Sequence, residues 1–263
     1  MNSEKMLEKL WETDPISLIH PDTLEHFLLL QEIASSSSNF KDSSWLLTDR
    51  AKEIRDLLTG SLVQVFPEAT NVFRFPVLSE EACTLTGRLS EVYKAKPNKE
   101  EDPSYRINEI LLKDESQLLD DLYTGVYAAV VMPILFVFSG VYSPVLNSIQ
   151  LGNYNSDGTS SSNVSFHTDE DSDHSLVIEL DGSTKDRGAG FTIFPDVELG
   201  VGKTGYATAF SGRSTMHRSL PINSGTRQIL VYWTSPVLNL DLVNWKKPNK
   251  TEEEQLELDL GNT

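Results

Sequence analysis

The sequence predicts a mainly β protein with α elements, its short strands forming a sandwich or barrel and its helices coming first along the chain. Three observations carry this. Apolar runs of strand length recur at about 10–15 residue spacing between residues 146 and 233. Residues 1–60 instead space their apolar side chains as a helix does. At 39% hydrophobic and 23% charged residues, the chain of 263 has the composition of a globular protein rather than a disordered one.

In the helical region Leu7, Leu10 and Trp11 form one apolar set, and Leu24, Phe27, Leu28, Leu30 and Ile33 another. Asp22 has Glu25 three residues on, the pattern of an N-cap for the second helix. The serines at 35–38 read as a break, and a third helix is expected over 47–58, ending near Gly60. From Ser61 the runs shorten to strand length at 62–66 and 72–77, followed by a charged, proline-bearing loop at 94–103. Residues 111–122 read as a helix leading into an apolar stretch, 126–142, of about the minimum length that spans a bilayer. Pro133, Ser139 and Gly140 interrupt that stretch, and Asp120 and Asp121 flank it in place of basic anchors. The expectation is therefore a buried helix that stops near Pro133 and feeds an extended core segment. Strands are expected at 146–154, 164–169, 175–180, 190–194, 205–210 and 228–233, with a polar turn at 155–163. From Asn239 the chain turns into an acidic tail, densest at 252–257.

Charge and cysteine content narrow the function. A net charge of −17 argues against nucleic acid as a partner, because a phosphate backbone needs a basic surface. It permits a cationic substrate without requiring one. The single cysteine, Cys83, allows neither an intrachain disulfide nor a cysteine zinc site. The charged N-terminus lacks the apolar core of a signal peptide, so a reducing, cytoplasmic setting without a membrane partner is expected.

Chemistry concentrates in 166–233. His167 and Asp169 are two residues apart, which on a strand puts both side chains on one face. His217 follows 48 positions after Asp169, from another part of the fold, and Arg227 ten residues later. Two histidines and one carboxylate on a β scaffold are the ligand set of a non-haem Fe(II) site with open positions. The same three could serve a zinc hydrolase, which would leave Arg227 and Tyr154 without a role. Asp169, Asp171 and Asp173 have the spacing that opens an EF-hand loop, but His174 stands at its glycine position and Leu180 at its glutamate position. His174 reads as a loop residue, and His20 and His26 as surface or helix-end residues. Glu170, Asp171 and Asp173 read as a solvated acidic loop or, more sharply, as a rim that favours a lysine or arginine side chain.

Five segments together resemble the Fe(II)/2-oxoglutarate dioxygenases of the prolyl- and lysyl-hydroxylase type, above all the catalytic domain of procollagen lysyl hydroxylases. They are Pro133-Ile-Leu-Phe-Val-Phe-Ser-Gly-Val-Tyr142, the stretch from Leu146 to Tyr154, His167-Thr-Asp-Glu-Asp-Ser172, Phe210-Ser-Gly-Arg213 with His217-Arg-Ser-Leu-Pro221, and Ser224-Gly-Thr-Arg-Gln-Ile-Leu-Val231. The likeness spans about 110 residues and implies a double-stranded β-helix, or jelly-roll, with iron held by His167, Asp169 and His217. It implies 2-oxoglutarate and O2 as cosubstrates, Arg227 and Tyr154 at the distal carboxylate, Thr192 lining that pocket, and ascorbate as a candidate reductant. Ala189 replaces the first glycine of the segment holding Thr192, and Asn153 stands where a basic residue often precedes the tyrosine. The expected organisation is an N-terminal extension (1–110), a dioxygenase core (111–240) and an acidic tail (241–263). The expected substrate is a lysyl or prolyl side chain of a peptide or protein. A free amino acid or other small metabolite is the alternative, and a non-catalytic scaffold or sensor the second; the oligomeric state is left open.

Overall fold

A computed structural model of the chain describes residues 14–36, 43–97, 99, 106–143, 145–157, 161–181, 188–193 and 197–235. The Leu7, Leu10 and Trp11 set, the acidic tail and Phe194 lie outside these residues.

The strand-length runs pair into two antiparallel sheets. The strands are β1 (Gln64–Val65), β2 (Phe73–Pro76), β3 (Lys96–Pro97), β4 (Asn108–Leu111), β5 (Val145–Asn155), β6 (Val164–His167), β7 (Ser175–Glu179), β8 (Gly188–Ile193), β9 (Val197–Glu198), β10 (Tyr206–Phe210), β11 (His217–Ile222) and β12 (Thr226–Ser235). The larger sheet has the order β1-β2-β10-β7-β12-β5-β4-β3, and the smaller β6-β11-β8-β9. The principal helices are α1 (Phe27–Ser36), α2 (Asp49–Ser61), α3 (Glu80–Val92) and α4 (Gln117–Ser139). The fold is thus mixed α/β, with more helix than the sequence led one to expect.

Alternation along the strands decides where everything goes, because successive side chains leave a strand on opposite faces. Leu230 and Tyr232 of β12, Leu176 and Ile178 of β7, and Ile149 and Leu151 of β5 are buried under the helices in the main apolar core. Their neighbours Ile229 and Val231, with Tyr154, face the smaller sheet and pack with Val164 and Ile222. The space between the sheets is therefore lined by the odd-numbered residues of β12 and β7 and the even-numbered ones of β5. Such burial of complete side chains stabilises by about 1.5–3 kcal/mol each.

Four local expectations are corrected. His20, not Asp22, caps the short helix Pro21–Leu24: its Nδ1 accepts the Asp22 N–H at 3.1 Å, and Pro21 takes the first helical position, where no N–H is needed. The helix expected to stop near Pro133 continues through it to Ser139, because Tyr127–Val131 form a π-helical turn just before the proline, in which the regular ladder is already interrupted. Gly140, at φ +72°, then ends it. Helix α3 was not expected at all, although Ser79 caps it by accepting the Ala82 N–H, with Glu80 and Glu81 in the first turn. Finally, His217–Ile222 form a strand that was not among those expected. By length and composition α4 could cross a membrane, yet Val130, Val131, Ile134 and Phe136 are buried in the core, the packing of a central helix.

Candidate metal centre

His167 is the last residue of β6 and His217 the first of β11, and the two are paired across the smaller sheet. Their rings lie 4.3 Å apart between centroids. Asp169 is not on the strand, as alternation alone would have it. It lies in the turn that follows, which is fastened to the turn after β10: Asp169 N–H donates to Gly212 O at 3.0 Å, Gly212 N–H to Asp173 O at 3.1 Å, and Arg213 N–H to Ser172 O at 3.0 Å. A side chain at Gly212 would put its Cβ 2.5 Å from Ser172 O, so only glycine lets the turns close this way.

The result is one group of three donors, all within 4.8 Å of one another; it is the only such histidine/carboxylate group of three or more among the described residues. Each histidine Nδ1 faces a backbone carbonyl, Ser165 O at 2.8 Å for His167 and Thr215 O at 3.0 Å for His217. A carbonyl only accepts, so each Nδ1 must carry the proton and each Nε2 is left as a bare lone pair. Both Nε2 atoms point to Asp169, at 3.4 Å from Oδ1 and 3.9 Å from Oδ2. Burial pushes His217 down to about 4, with Asp169 opposing, so the ring is neutral at physiological pH. Burial works against the Asp169 charge, but the adjacent His167 and His217 rings hold the carboxyl below its usual range. Phe191 and Phe210 flank His217, at 5.3 and 4.4 Å between centroids. Two imidazoles and a carboxylate, the rings oriented through their Nδ1 atoms, fit a divalent transition metal.

The donors open on a cavity of about 300 Å³ between the sheets, lined also by Ile107, Glu109, Gln150, Val177 and Trp233. Its floor is Tyr154 and Ser219, whose hydroxyls are 3.2 Å apart. Arg227 lies directly behind them, cross-strand from Tyr154, with Nη1 donating to Ser219 Oγ at 3.2 Å and the guanidinium 5.2 Å over the Tyr154 ring. It is buried and forms a bidentate pair with Glu179: Nε donates to Oε2 at 3.0 Å and Nη2 to Oε1. Burial opposes the Arg227 charge, and the adjacent carboxylate outweighs it, raising its pKa. Tyr154 is raised by burial, against the pull of Arg227.

Thr192 is elsewhere. Phe191 and Ile193 pair with Ser219 and His217 and share the inner face, which puts Thr192, opposite Arg218, on the outer face of the smaller sheet. Its hydroxyl is buried without a partner, and the cavity wall expected of it is Phe191. His174 is a loop residue as expected, but a buried one. Of the acidic loop, Glu170 and Asp171 line an open rim pocket that shares Asp169 and Trp233 with the cavity, while Asp173 pairs with Arg213 at 3.2 Å. Ser219, Glu179, Gln150 and Glu109 escaped the sequence reading. Ser219 was two residues past His217 on the same strand, and Glu179 was the lone carboxylate in the apolar run Leu176-Val-Ile-Glu-Leu180.

The fold is shared with solved structures of prolyl hydroxylases and other non-haem 2-oxoglutarate-dependent enzymes. A prolyl-4-hydroxylase from Pseudomonas putida is similar with a TM-score of 0.52 at 15% identity, over 64% of this chain and 94% of that one. A prolyl hydroxylase from Trichoplax adhaerens, solved with a hypoxia-inducible-factor oxygen degradation domain peptide, gives 0.53 at 10% identity, over 75% and 96%. The α-ketoglutarate-dependent carbocyclase SnoK of nogalamycin biosynthesis gives 0.51 at 14%, over 71% and 93%. No family model and no curated protein matches the chain.

Proposed function

We propose that this protein is an Fe(II)- and 2-oxoglutarate-dependent dioxygenase with a double-stranded β-helix core, hydroxylating an aliphatic C–H bond of a lysyl or prolyl side chain in a peptide or protein. The observation that carries the reading is the convergence of two Nε2 lone pairs and one carboxylate, each imidazole oriented by a backbone carbonyl. His167, Asp169 and His217 would hold the metal, which with 2-oxoglutarate and O2 supplies the oxidising power that protein side chains lack. Tyr154, Ser219 and Arg227 would bind the distal carboxylate of 2-oxoglutarate at the floor. The apolar walls Ile107, Val177, Ile229 and Val231 exclude water from the space between. The rim carboxylates Glu170 and Asp171 would attract a cationic side chain. A peptide substrate is supported by the Trichoplax neighbour's bound peptide. We place the core at 111–240 with 1–110 packed on it, and the protein in the cytoplasm.

The cavity also favours a second reading. About 300 Å³ holds a cosubstrate and little more than one side chain, so a free amino acid or other small metabolite would fit as well as a residue of a peptide. Anaerobic protein with Fe(II) and 2-oxoglutarate should show the weak visible charge-transfer band of the chelate, and His217→Ala should lose it. Absence of the band, or its survival in that variant, overturns the dioxygenase reading. Succinate release over lysine- and proline-containing peptides and free amino acids then separates the two substrate classes.

A further inference from the structure

One wall of the cavity carries a carboxylate that neither the metal donors nor the floor uses. On β4, Ile110 packs into the main core, and Ile107, just before the strand, faces the space between the sheets. Alternation therefore turns Glu109 toward the cavity, and it is one of the lining residues. Across the strand pair it meets Gly152, which has no side chain to cover it. A Cβ at that glycine would lie 2.6 Å from Ile107 Cδ1 and 3.3 Å from Ile229 Cγ1, so isoleucines close the space beside Glu109. Gln150, buried on β5 and also lining the cavity, donates from Nε2 to Glu109 Oε2.

The surroundings say what this carboxylate suits. Glu109 and Asp169 both line the cavity, and no lysine or arginine is among its lining residues. A carboxylate only accepts and has about four lone-pair sites, so the bond from Gln150 leaves capacity for an ammonium, which only donates. An anionic cosubstrate in the same cavity would disfavour the Glu109 charge by like-charge repulsion, and a cation relieves this. The rest of the wall is apolar, with Ile107, Val177, Ile229, Val231 and Trp233, and suits a methylene stem. Glu170 and Asp171 at the rim favour entry of the same charge. A prolyl ring would fill the apolar part and bring Glu109 no donor.

We propose that Glu109, braced by Gln150, is the specificity-determining residue that takes the terminal ammonium of a lysine side chain, whose methylenes pack on the apolar walls. The inference rests on reading the cavity as a dioxygenase site, and it selects lysine over proline as the substrate side chain.

Calorimetric titration of Mn(II)-loaded protein holding 2-oxoglutarate tests it. The probes are Nα-acetyl-lysine methylamide and its norleucine counterpart, which keeps the stem and lacks the ammonium. The parent should bind the lysine compound about tenfold more tightly, the strength of one charge-assisted hydrogen bond. Glu109→Gln should bring the two within about twofold by weakening the lysine compound alone, whereas a purely structural role would weaken both alike. Gln150→Leu, which keeps the carboxylate without its brace, should cut the preference about threefold. If Glu109→Gln does not fold, Glu109→Asp takes its place and should also cut the preference about threefold, its carboxylate being one methylene short. Equal or absent binding of the two compounds by the parent overturns the proposal, as does a preference that survives in the Glu109 variant. Free lysine against free norleucine, titrated alongside, shows whether the ammonium belongs to a peptide or to a metabolite, and a Glu109-dependent preference in either pair supports the assignment. If 2-oxoglutarate itself does not bind, the dioxygenase reading falls, and the comparison repeated without it still scores Glu109. If 2-oxoglutarate binds and the preference is missing, only the role of Glu109 falls.

Discussion

The two ends of the cavity are built on opposite plans. At one end His167, Asp169 and His217 gather two imidazoles and a carboxylate, with no lysine or arginine in the group to answer it. Each imidazole is oriented by the carbonyl two residues before it, Ser165 or Thr215, so the tautomers are set locally. At the other end Arg227 is already paired, and its surroundings, Glu179, Ser219 and Tyr154, come from three other strands. The proposed cation site is left incomplete, its donors His167, Asp169 and His217 gathered without a positive partner among them. A buried guanidinium cannot wait, so the protein supplies the partner of Arg227 itself, in Glu179. The proposed metal end is thus set locally, whereas the proposed anion end is distributed and nearly self-satisfied.

Substitutions at each end should fail in different ways. The largest effect is expected for His217→Ala. Removing a ligand should cost more than the roughly 10–100-fold in metal affinity typical of losing a supporting partner, while 2-oxoglutarate-independent folding persists. Mn(II) titration with circular dichroism checks both, and retained metal affinity would break the contrast between the ends. Next, Arg227→Gln should leave metal affinity within about twofold but strand Glu179, destabilising the fold by roughly 3–5 kcal/mol in chemical denaturation. A stable Arg227→Gln variant would show that Glu179 is not dependent on its partner. Ser219→Ala removes the hydroxyl that joins Tyr154 to Arg227 and should weaken 2-oxoglutarate by about fivefold, about 1 kcal/mol, with metal binding unchanged. The smallest effect belongs to Thr192→Val. Its hydroxyl is buried without a partner on the outer face, so cosubstrate affinity should not move and stability should hold or rise by up to about 1 kcal/mol. A large loss of 2-oxoglutarate affinity in this variant would return Thr192 to the site.

Much of the metal end was legible in the chain. His167 and Asp169 are two residues apart, and Phe210-Ser-Gly-Arg213, which carried part of the family resemblance, holds the turn that fastens Asp169. The helix through Pro133 was not legible, because a π-helical turn is chosen by how the stretch packs and not by any residue in it. Helix α3 carried a capping serine that the surrounding strand-like runs obscured.

By itself the sequence determined the ligand types, their order, the alternation that gives each strand two faces, and Arg227 as the late cation. Tertiary structure alone decided that His167 and His217 are cross-strand neighbours, that Thr192 faces out while Ser219 faces in, and that Glu179 pairs with Arg227. The physical reason is register. Alternation says that a strand has two faces, but only pairing with its neighbours says which face is inside, and a buried charge takes its partner from whichever strand the sheet brings alongside.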